Sequence, residues 1–456
     1  MMNVRVEPHT PRSLWCRPKP LTGKSIRSYK DLHLSSRVPT VRAVRLVWTL
    51  PTEVLLQGAA IELWQWASTL HLWGFASAAD LQSTIWPPAL KELVMGGDEE
   101  TALKAMPLPP TLERLTFGDA FNQPIAGIEW PASLQRLTFG DRFDHPIAGV
   151  AWPTSLQYVS LGDYFNQPIT AATWPALLQQ LSFGACFNQP VTGVLWPTSL
   201  QQLTFGFSFD QPITAVVWPA SLQQISFGLQ FNQPIIGVRW PTSLQQMSFG
   251  GFGGSFNQSI TGVVWPASLQ KLSFGCHFNQ PVTGVAWPAS LQQLSFGAAD
   301  FNQSITRVVW PASLQQLSFG ADFNQPIIGV AWSASLQQIS FGFNFNQPVT
   351  GIVWPASLQQ LSFGAMFNQP ITGIIWPAGL QQLSFGWCFN QPIVGVEWPA
   401  SLRKLSFGDT FNQPVTGVVW PSSLQQLLFG HNFNQPITGQ VWPSCLRVMR
   451  EGTTLL

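Results

Sequence analysis

A metal centre or a nucleophilic site in this 456-residue chain would have to be assembled from five cysteines, six histidines and a thin scatter of carboxylates. The cysteines are Cys16, Cys186, Cys276, Cys388 and Cys445. Their odd number and unpaired spacing speak against a disulfide framework and for a reducing, intracellular setting. Zinc needs its ligands within about 2.3 Å of one point. Cys186 precedes Cys276 and His277 by four units of a periodic pattern, which is about 19 Å at β-sheet spacing. Cys388 and His431 are two units apart, about 10 Å on the same basis. Serines such as Ser362 and Ser384 recur without a nearby histidine to serve as base, so nucleophilic catalysis finds no support. The expectation is a protein that is not an enzyme and needs no metal or cofactor. One acidic pattern stands out. Asp119, Asp141 and Asp163 each follow a glycine at the same place in three consecutive units. Stacked about 5 Å apart, they could receive a basic segment of a partner, or a calcium ion through oxygen ligands. A solvated cluster with Arg114, Arg136 and Arg142 is the plainer alternative.

The period behind these spacings is 22 residues. Trp-Pro pairs begin at Trp130, Trp152, Trp174, Trp196, Trp218 and Trp240, then at Trp265 and Trp287, and continue to Trp442. About seventeen units are recognisable. From Trp354 a typical one reads W-P-A-S-L-Q-Q-L-S-F-G-A-M-F-N-Q-P-I-T-G-I-I. Two prolines in most units, replaced singly by Ser259, Ser304 and Ser333, exclude central strand positions, because proline lacks the ladder amide. The longest proline-free run is S-L-Q-Q-L-S-F-G, where Leu361 and Phe363 alternate with Gln360 and Ser362. Alternation of this kind marks a strand with one buried face. Gly364 should end it. The run I-T-G-I-I-W is a second, glycine-interrupted candidate on the opposite face. One unit cannot bury its own apolar set, so only a stack is stable. The expected fold is therefore a β-rich repeat solenoid with one strand of a parallel sheet per unit, the alternative being a two-sheeted β-solenoid. Asn122, Asn166 and their successors, replaced by Asp144 and Asp210, should form a ladder that satisfies backbone groups at the bend.

Composition agrees. Charged residues are 9 %, hydrophobic ones 45 %, and the formal net charge is +1. Such a balance gives no reason to expect nucleic acid, and no apolar run of about 18 residues suggests a membrane span. Residues 1–45 differ, with many Arg and Lys against only Glu7 and Asp31. They read as a disordered basic tail or an organelle transit segment ahead of an otherwise cytoplasmic chain. Residues 46–107 read as an N-terminal cap of degenerate units, 108–441 as the solenoid, and 442–456 as a C-terminal cap. In that cap, counting by 22 puts Met449 where Leu belongs and Glu451 where Phe belongs.

The segment F-N-Q-P-I, followed by P-x-S-L-Q-Q-L-S-F-G, resembles the FNIP repeats, relatives of the leucine-rich repeats found in social amoebae and some giant viruses. The likeness covers about residues 108–446 and is carried by fifteen F-N or F-D copies in register. It departs from the pattern in placing Trp where the family generally has Leu before Pro. Some members carry an F-box, and no F-box-like segment precedes residue 64. The resemblance implies a leucine-rich-repeat-like solenoid used for binding proteins, without catalysis.

Two outward features could do that binding. A Gln column (Gln180, Gln202, Gln224) lies beside a Ser/Thr column (Ser182, Thr204, Ser226) on the outer strand face. The residues between Gly and Phe-Asn vary most. There stand Asp119, Asp141-Arg142, Asp163-Tyr164, Phe207, Leu229, Trp387 and His431, and a three-residue insertion at Gly251–Ser255 should loop out and display Phe252. Variation on a fixed scaffold can encode partner choice. The rival class is a surface- or lattice-binding protein, for ice or polysaccharide, that uses the uniform Ser/Thr and Gln columns.

Overall fold

A computed structural model gives the fold, and it describes residues 3–5, 44–48, 67–73, 86–96, 107–251, 253–450 and 453–454. The chain divides into two units, residues 1–206 and 207–456. In the first, Asn3–Arg5 pairs antiparallel with Val44–Trp48. Parallel strands then follow at Ala67–Trp73, Glu92–Gly96, Arg114–Phe117 and one per repeat to Gln202–Thr204. In the second, parallel strands run from Gln224–Phe227 to Arg447–Arg450, and Thr453–Thr454 closes the edge antiparallel. Apart from Asn3–Arg5 and the start of Val44–Trp48, the basic segment 1–45 lies outside the described residues.

Each repeat strand is short, typically Q-L-S, as at Gln360–Ser362. Registers are identical from repeat to repeat, with Gln360, Leu361 and Ser362 opposite Gln382, Leu383 and Ser384. The central residue is buried and its neighbours face water, as the alternation predicts. The run after Asn-Gln-Pro forms no strand in the described repeats, so the two-sheeted alternative is not what the chain adopts. A turn breaks it. At Gly149 φ is 75°, a left-handed conformation that suits glycine, and Val150 N–H donates to the Ile147 carbonyl at 3.3 Å.

Inside, one repeat contributes Leu134, Leu137, Phe139, Phe143, Ile147 and Val150, all buried. The two phenylalanines stack on each other at 4.1 Å, and Phe143 stacks on Phe165 of the next repeat at 6.0 Å. A Cβ placed on Gly140 would lie 1.8 Å from the Gly118 carbonyl oxygen. Glycine after the strand therefore does more than end it. It is the residue that lets successive repeats touch backbone to backbone.

Two departures from the 22-residue count, three residues at Gly251–Ser255 and one at Ala298–Asp300, are absorbed at this same edge. Around Gly250–Gly254 the strand ladder resumes undisturbed, Gln246 opposite Lys271. The loop is tied down, since Gly253 N–H donates to Cys276 Sγ at 2.8 Å and Ser255 N–H to the Leu229 carbonyl at 2.6 Å. Phe252, expected at its tip, lies outside the described residues. The last repeat corrects the count by 22. Leu427 pairs with Val448, not Met449, and Phe429 with Arg450, not Glu451. One residue is missing between Leu446 and the strand, and Val448, fully buried, takes the inward place. A one-residue slip moves every side chain to the other face, so burial of the apolar residue decides the register.

Candidate functional site

The edge between Gly and Phe-Asn is built on a side-chain ladder. Asn166 Oδ1 accepts the backbone N–H of Asn188 at 2.9 Å and Gln189 Nε2 at 3.2 Å. Asp144 does the same for Asn166 and Gln167, both at 2.9 Å, which is why Asp replaces Asn without loss of the ladder. The residue before each Phe is tied to the preceding repeat chiefly by a backbone bond, to which some repeats add a side-chain bond one residue earlier, as from Ala185 N–H to Asp163 Oδ1 at 3.3 Å. Arg142 N–H donates to the Asp119 carbonyl at 2.9 Å, and Tyr164 N–H to the Asp141 carbonyl at 2.7 Å. Their side chains are free to differ.

In the first unit this edge brings Asp119, Asp141, Arg142, Asp163 and Tyr164 together, all exposed. The Asp141 carboxyl is raised above its usual 3.8 by partial desolvation and by the charges of Asp119 and Asp163 on either side. Arg114 and Arg136, expected to offset that row, are engaged elsewhere. Arg114 pairs with Glu92 at 3.1 Å, and Arg136 lies over the Tyr158 ring at 4.7 Å, both on the strand face. A carboxyl whose folded pKa is raised holds its proton more tightly in the fold than in the open chain. The charged form therefore destabilises the fold at neutral pH, and that penalty fades as pH falls toward 3.8. Asp141→Asn is expected to raise the melting temperature slightly at neutral pH and to leave it unchanged near pH 3, measured by thermal unfolding of both chains across that range. Equal melting at both pH values would mean that the row is not repulsive.

In the second unit Phe207 is 48 % exposed, and Leu229, one repeat on, is half-buried beside Gly253. Phe343, Met366 and Trp387 then place large apolar groups on this edge, Trp387 being 59 % exposed. Cys388 Sγ lies 3.6 Å from Met366 Sδ. His431 is exposed two repeats beyond. Between the apolar stretches a polar groove is lined by Asn302, Asp300, Asp322, Asn324 and Asn344, with His277 Nδ1 at 2.9 Å from Asp300 and Asn344 Nδ2 donating to Asp322 at 2.8 Å. Among the described residues no group of three or more His, Cys, Asp or Glu is placed to hold a metal ion. Among them, too, no helix is long and apolar enough to cross a membrane.

The strand face carries the Gln and Ser/Thr columns in register, with a shallow groove along Gln338, Ser340, Gln360, Ser362, Gln382 and Ser384. Lys271 and Lys404 interrupt the Gln column. Two features of the repeat lie outside the sequence reading. The serine of P-x-S-L is a structural donor, Ser357 Oγ to the Leu336 carbonyl at 2.7 Å. The two aliphatic residues before Trp also differ in role. Ile352 is buried, whereas Val353 is 86 % exposed. Period-2 alternation was the available signal, masked by two adjacent apolar residues.

The sequence profile of the FNIP repeat matches in overlapping segments, the first at residues 100–142 and the last at 411–448. Among solved structures the chain is similar to CroV588, described as a novel circular leucine-rich-repeat protein, at 34 % identity and a TM-score of 0.73. That likeness covers 89 % of this chain and 66 % of the other. The chain is similar in fold alone to a component of the Drosophila Toll–Spatzle complex, at 12 % identity and a TM-score of 0.55, over 86 % of this chain and 54 % of that one. It thus spans less than two thirds of the length of either. No significant match is found among curated protein sequences.

Proposed function

The chain belongs to the FNIP repeat family, and from that premise we propose that it is a protein-interaction scaffold which works without catalysis. One observation carries the reading. A framework that repeats atom for atom, through its ladder and its stacked phenylalanines, presents large exposed side chains such as Tyr164, Phe343 and Trp387 at the positions that vary. Aromatic side chains on a rigid support are the common anchors of protein interfaces. On this reading partner choice resides at Asp119, Asp141, Arg142, Asp163, Tyr164, Phe207, Leu229, Phe252, Trp387 and His431. Cys186, Cys276, Cys388 and Cys445 are free thiols, in keeping with a protein that works inside the cell.

The test compares capture of native proteins by the wild-type chain, a Tyr164→Ala/Trp387→Ala chain and a Gln360→Ala/Gln382→Ala chain. The scaffold reading expects a protein retained by the first and third and lost by the second. Loss only from the third would move the contact to the strand face. Adsorption to ice or a polysaccharide lattice with no protein retained would favour the lattice reading instead.

A further inference from the structure

In the second unit the charges are sorted by face. Between the glycine that ends each strand and the next Phe, from Phe207 to Asn432, the edge carries three carboxylates, Asp300, Asp322 and Asp409, and neither Lys nor Arg. Its two histidines, His277 and His431, belong to the repeats next to Asp300 and Asp409. The basic residues of the unit lie in or beside the strands, as Lys271 and Lys404 do, or about the turns, as Arg239 and Arg307 do. Large apolar side chains on the edge are grouped as well. Phe207, Leu229 and Phe252 stand apart in repeat order, whereas Phe343, Met366 and Trp387 occupy three consecutive repeats and are all exposed. Cys388 joins the last two, its Sγ at 3.6 Å from Met366 Sδ. The repeats that flank this run on either side are those of Asp322 and Asp409.

The phenylalanines that follow these positions give the spacing. From Phe323 through Phe345, Phe367 and Phe389 to Phe411, successive rings stack at 6.0 or 6.1 Å. An extended chain sets every second side chain on one face, roughly 6.7 Å apart. Five alternate residues of such a segment therefore meet Asp322, Phe343, Met366, Trp387 and Asp409 in turn, and long side chains at its ends take up the small mismatch. The edge is only two residues wide, which suits an extended segment better than a helix about 10 Å across. Both acidic ends are prepared for a cation. Asp322 accepts the Asn344 amide at 2.8 Å, and Asp409 the His431 backbone N–H at 3.5 Å. A carboxylate accepts several such bonds, so each retains positions for a Lys or Arg. Beside the first of them the polar groove lined by Asp300, Asp322, Asn344 and Met366 offers a bed for an aliphatic stem.

We propose that this stretch of the edge binds a short extended segment of another protein, in which apolar side chains at alternate positions lie between a Lys or Arg at each end. The inference rests on the scaffold reading and names the chemistry of its partner. Burial of Phe343, Met366 and Trp387 supplies the attraction, and Met366 adapts to more than one apolar shape. The carboxylates at the rim supply register and choice, because a segment with acidic ends would set like charges together at both Asp322 and Asp409. With no Lys or Arg along the edge, nothing nearby on that edge competes for those carboxylates.

The experiment measures fluorescence anisotropy of labelled nine-residue peptides with the full chain. The probes are K-S-L-S-F-S-L-S-K, E-S-L-S-F-S-L-S-E and K-S-S-S-S-S-S-S-K. The first should bind about tenfold or more tightly than the second, a difference that added salt narrows, and the third should not bind measurably. Trp387→Ala should lose the first peptide. Asp322→Lys/Asp409→Lys should reverse the preference in favour of acidic ends, a gain that neither loss of fold nor unspecific apolar contact produces. Absence of binding by the first peptide, equal binding of the first two, or a preference that charge reversal leaves in place would each overturn the proposal. So would self-association of the chain, read by sedimentation and abolished by Trp387→Ala, which would give the stretch to a second copy. The peptides need no native partner, so their failure is distinct from that of the scaffold reading, which capture of a native protein decides.

Discussion

Replacing Leu317 with Asp is expected to cut the second unit in two. Leu317 is 1 % exposed and stands in register between Leu294 and Ile339 of the adjoining strands. An ionised carboxylate there has no partner and no water, and the protein must either protonate it or expel the strand. Truncation to Ala removes only packing, at about 2–5 kcal/mol. The charged variant should exceed that. Because each repeat contacts its neighbours and nothing more distant, the damage stays local to the repeats beside residue 317 while those farther off keep their own stability. Limited proteolysis with the cleavage sites mapped should find new cuts between about residues 295 and 340, with protected fragments on both sides. Cleavage spread evenly along the unit would contradict nearest-neighbour stability.

A pair of glycine substitutions should separate space from conformation. On Gly364 a Cβ would lie 1.6 Å from the Gly342 carbonyl oxygen and 2.4 Å from its carbon, so alanine would have to force two repeats apart. The obstructing atoms are backbone and cannot rotate away. Nine residues on, Gly373 has φ of 77° and nothing within 4 Å of its Cβ position. Alanine there meets only the strain of the left-handed region, about 1–2 kcal/mol. At Gly364 the cost should reach about 3 kcal/mol or more, since overpacking of a rigid site is relieved only by moving the main chain. Urea unfolding of the two variants measures the difference. Equal losses would mean that the repeats can part at Gly364 without disturbing the ladder.

The unequal roles of these glycines mark how far the sequence could be read. Periodicity and two prolines per repeat place the strand at Gln360–Ser362 and turn Leu361 inward, because both are local rules. The Asn ladder follows from the same reasoning, since an amide at a bend has one obvious use. What the chain could not disclose depends on distances between repeats. Gly364 reads as a strand end, and the carbonyl that forbids any side chain there belongs to a residue 22 positions earlier. Val448 displaces Met449 because backbone pairing and burial choose the register, and counting does not. Arg114 and Arg136 turn to Glu92 and Tyr158, neighbours on the strand face, where proximity in sequence pointed to the Asp row. The exposed column through Val353 was hidden for a simpler reason. Two aliphatic residues in succession look alike until one of them is seen to be outside.

Most junctions along the described repeats are alike: one strand laid in fixed register on the last, one Asn gripping the next, one glycine pressed against another. A crossover between misaligned copies of the coding sequence, provided that it keeps the phase of 22, joins two repeats that already fit. The coding sequence can therefore gain or lose repeats by unequal recombination without any compensating change, and number becomes heritable variation of a kind separate from amino-acid identity. The tied loop at Gly250–Gly254 shows the other tolerance, a local change of phase confined to the edge. Selection can thus alter the reach of the molecule and the lettering of its edge independently, the first by copying and the second by substitution.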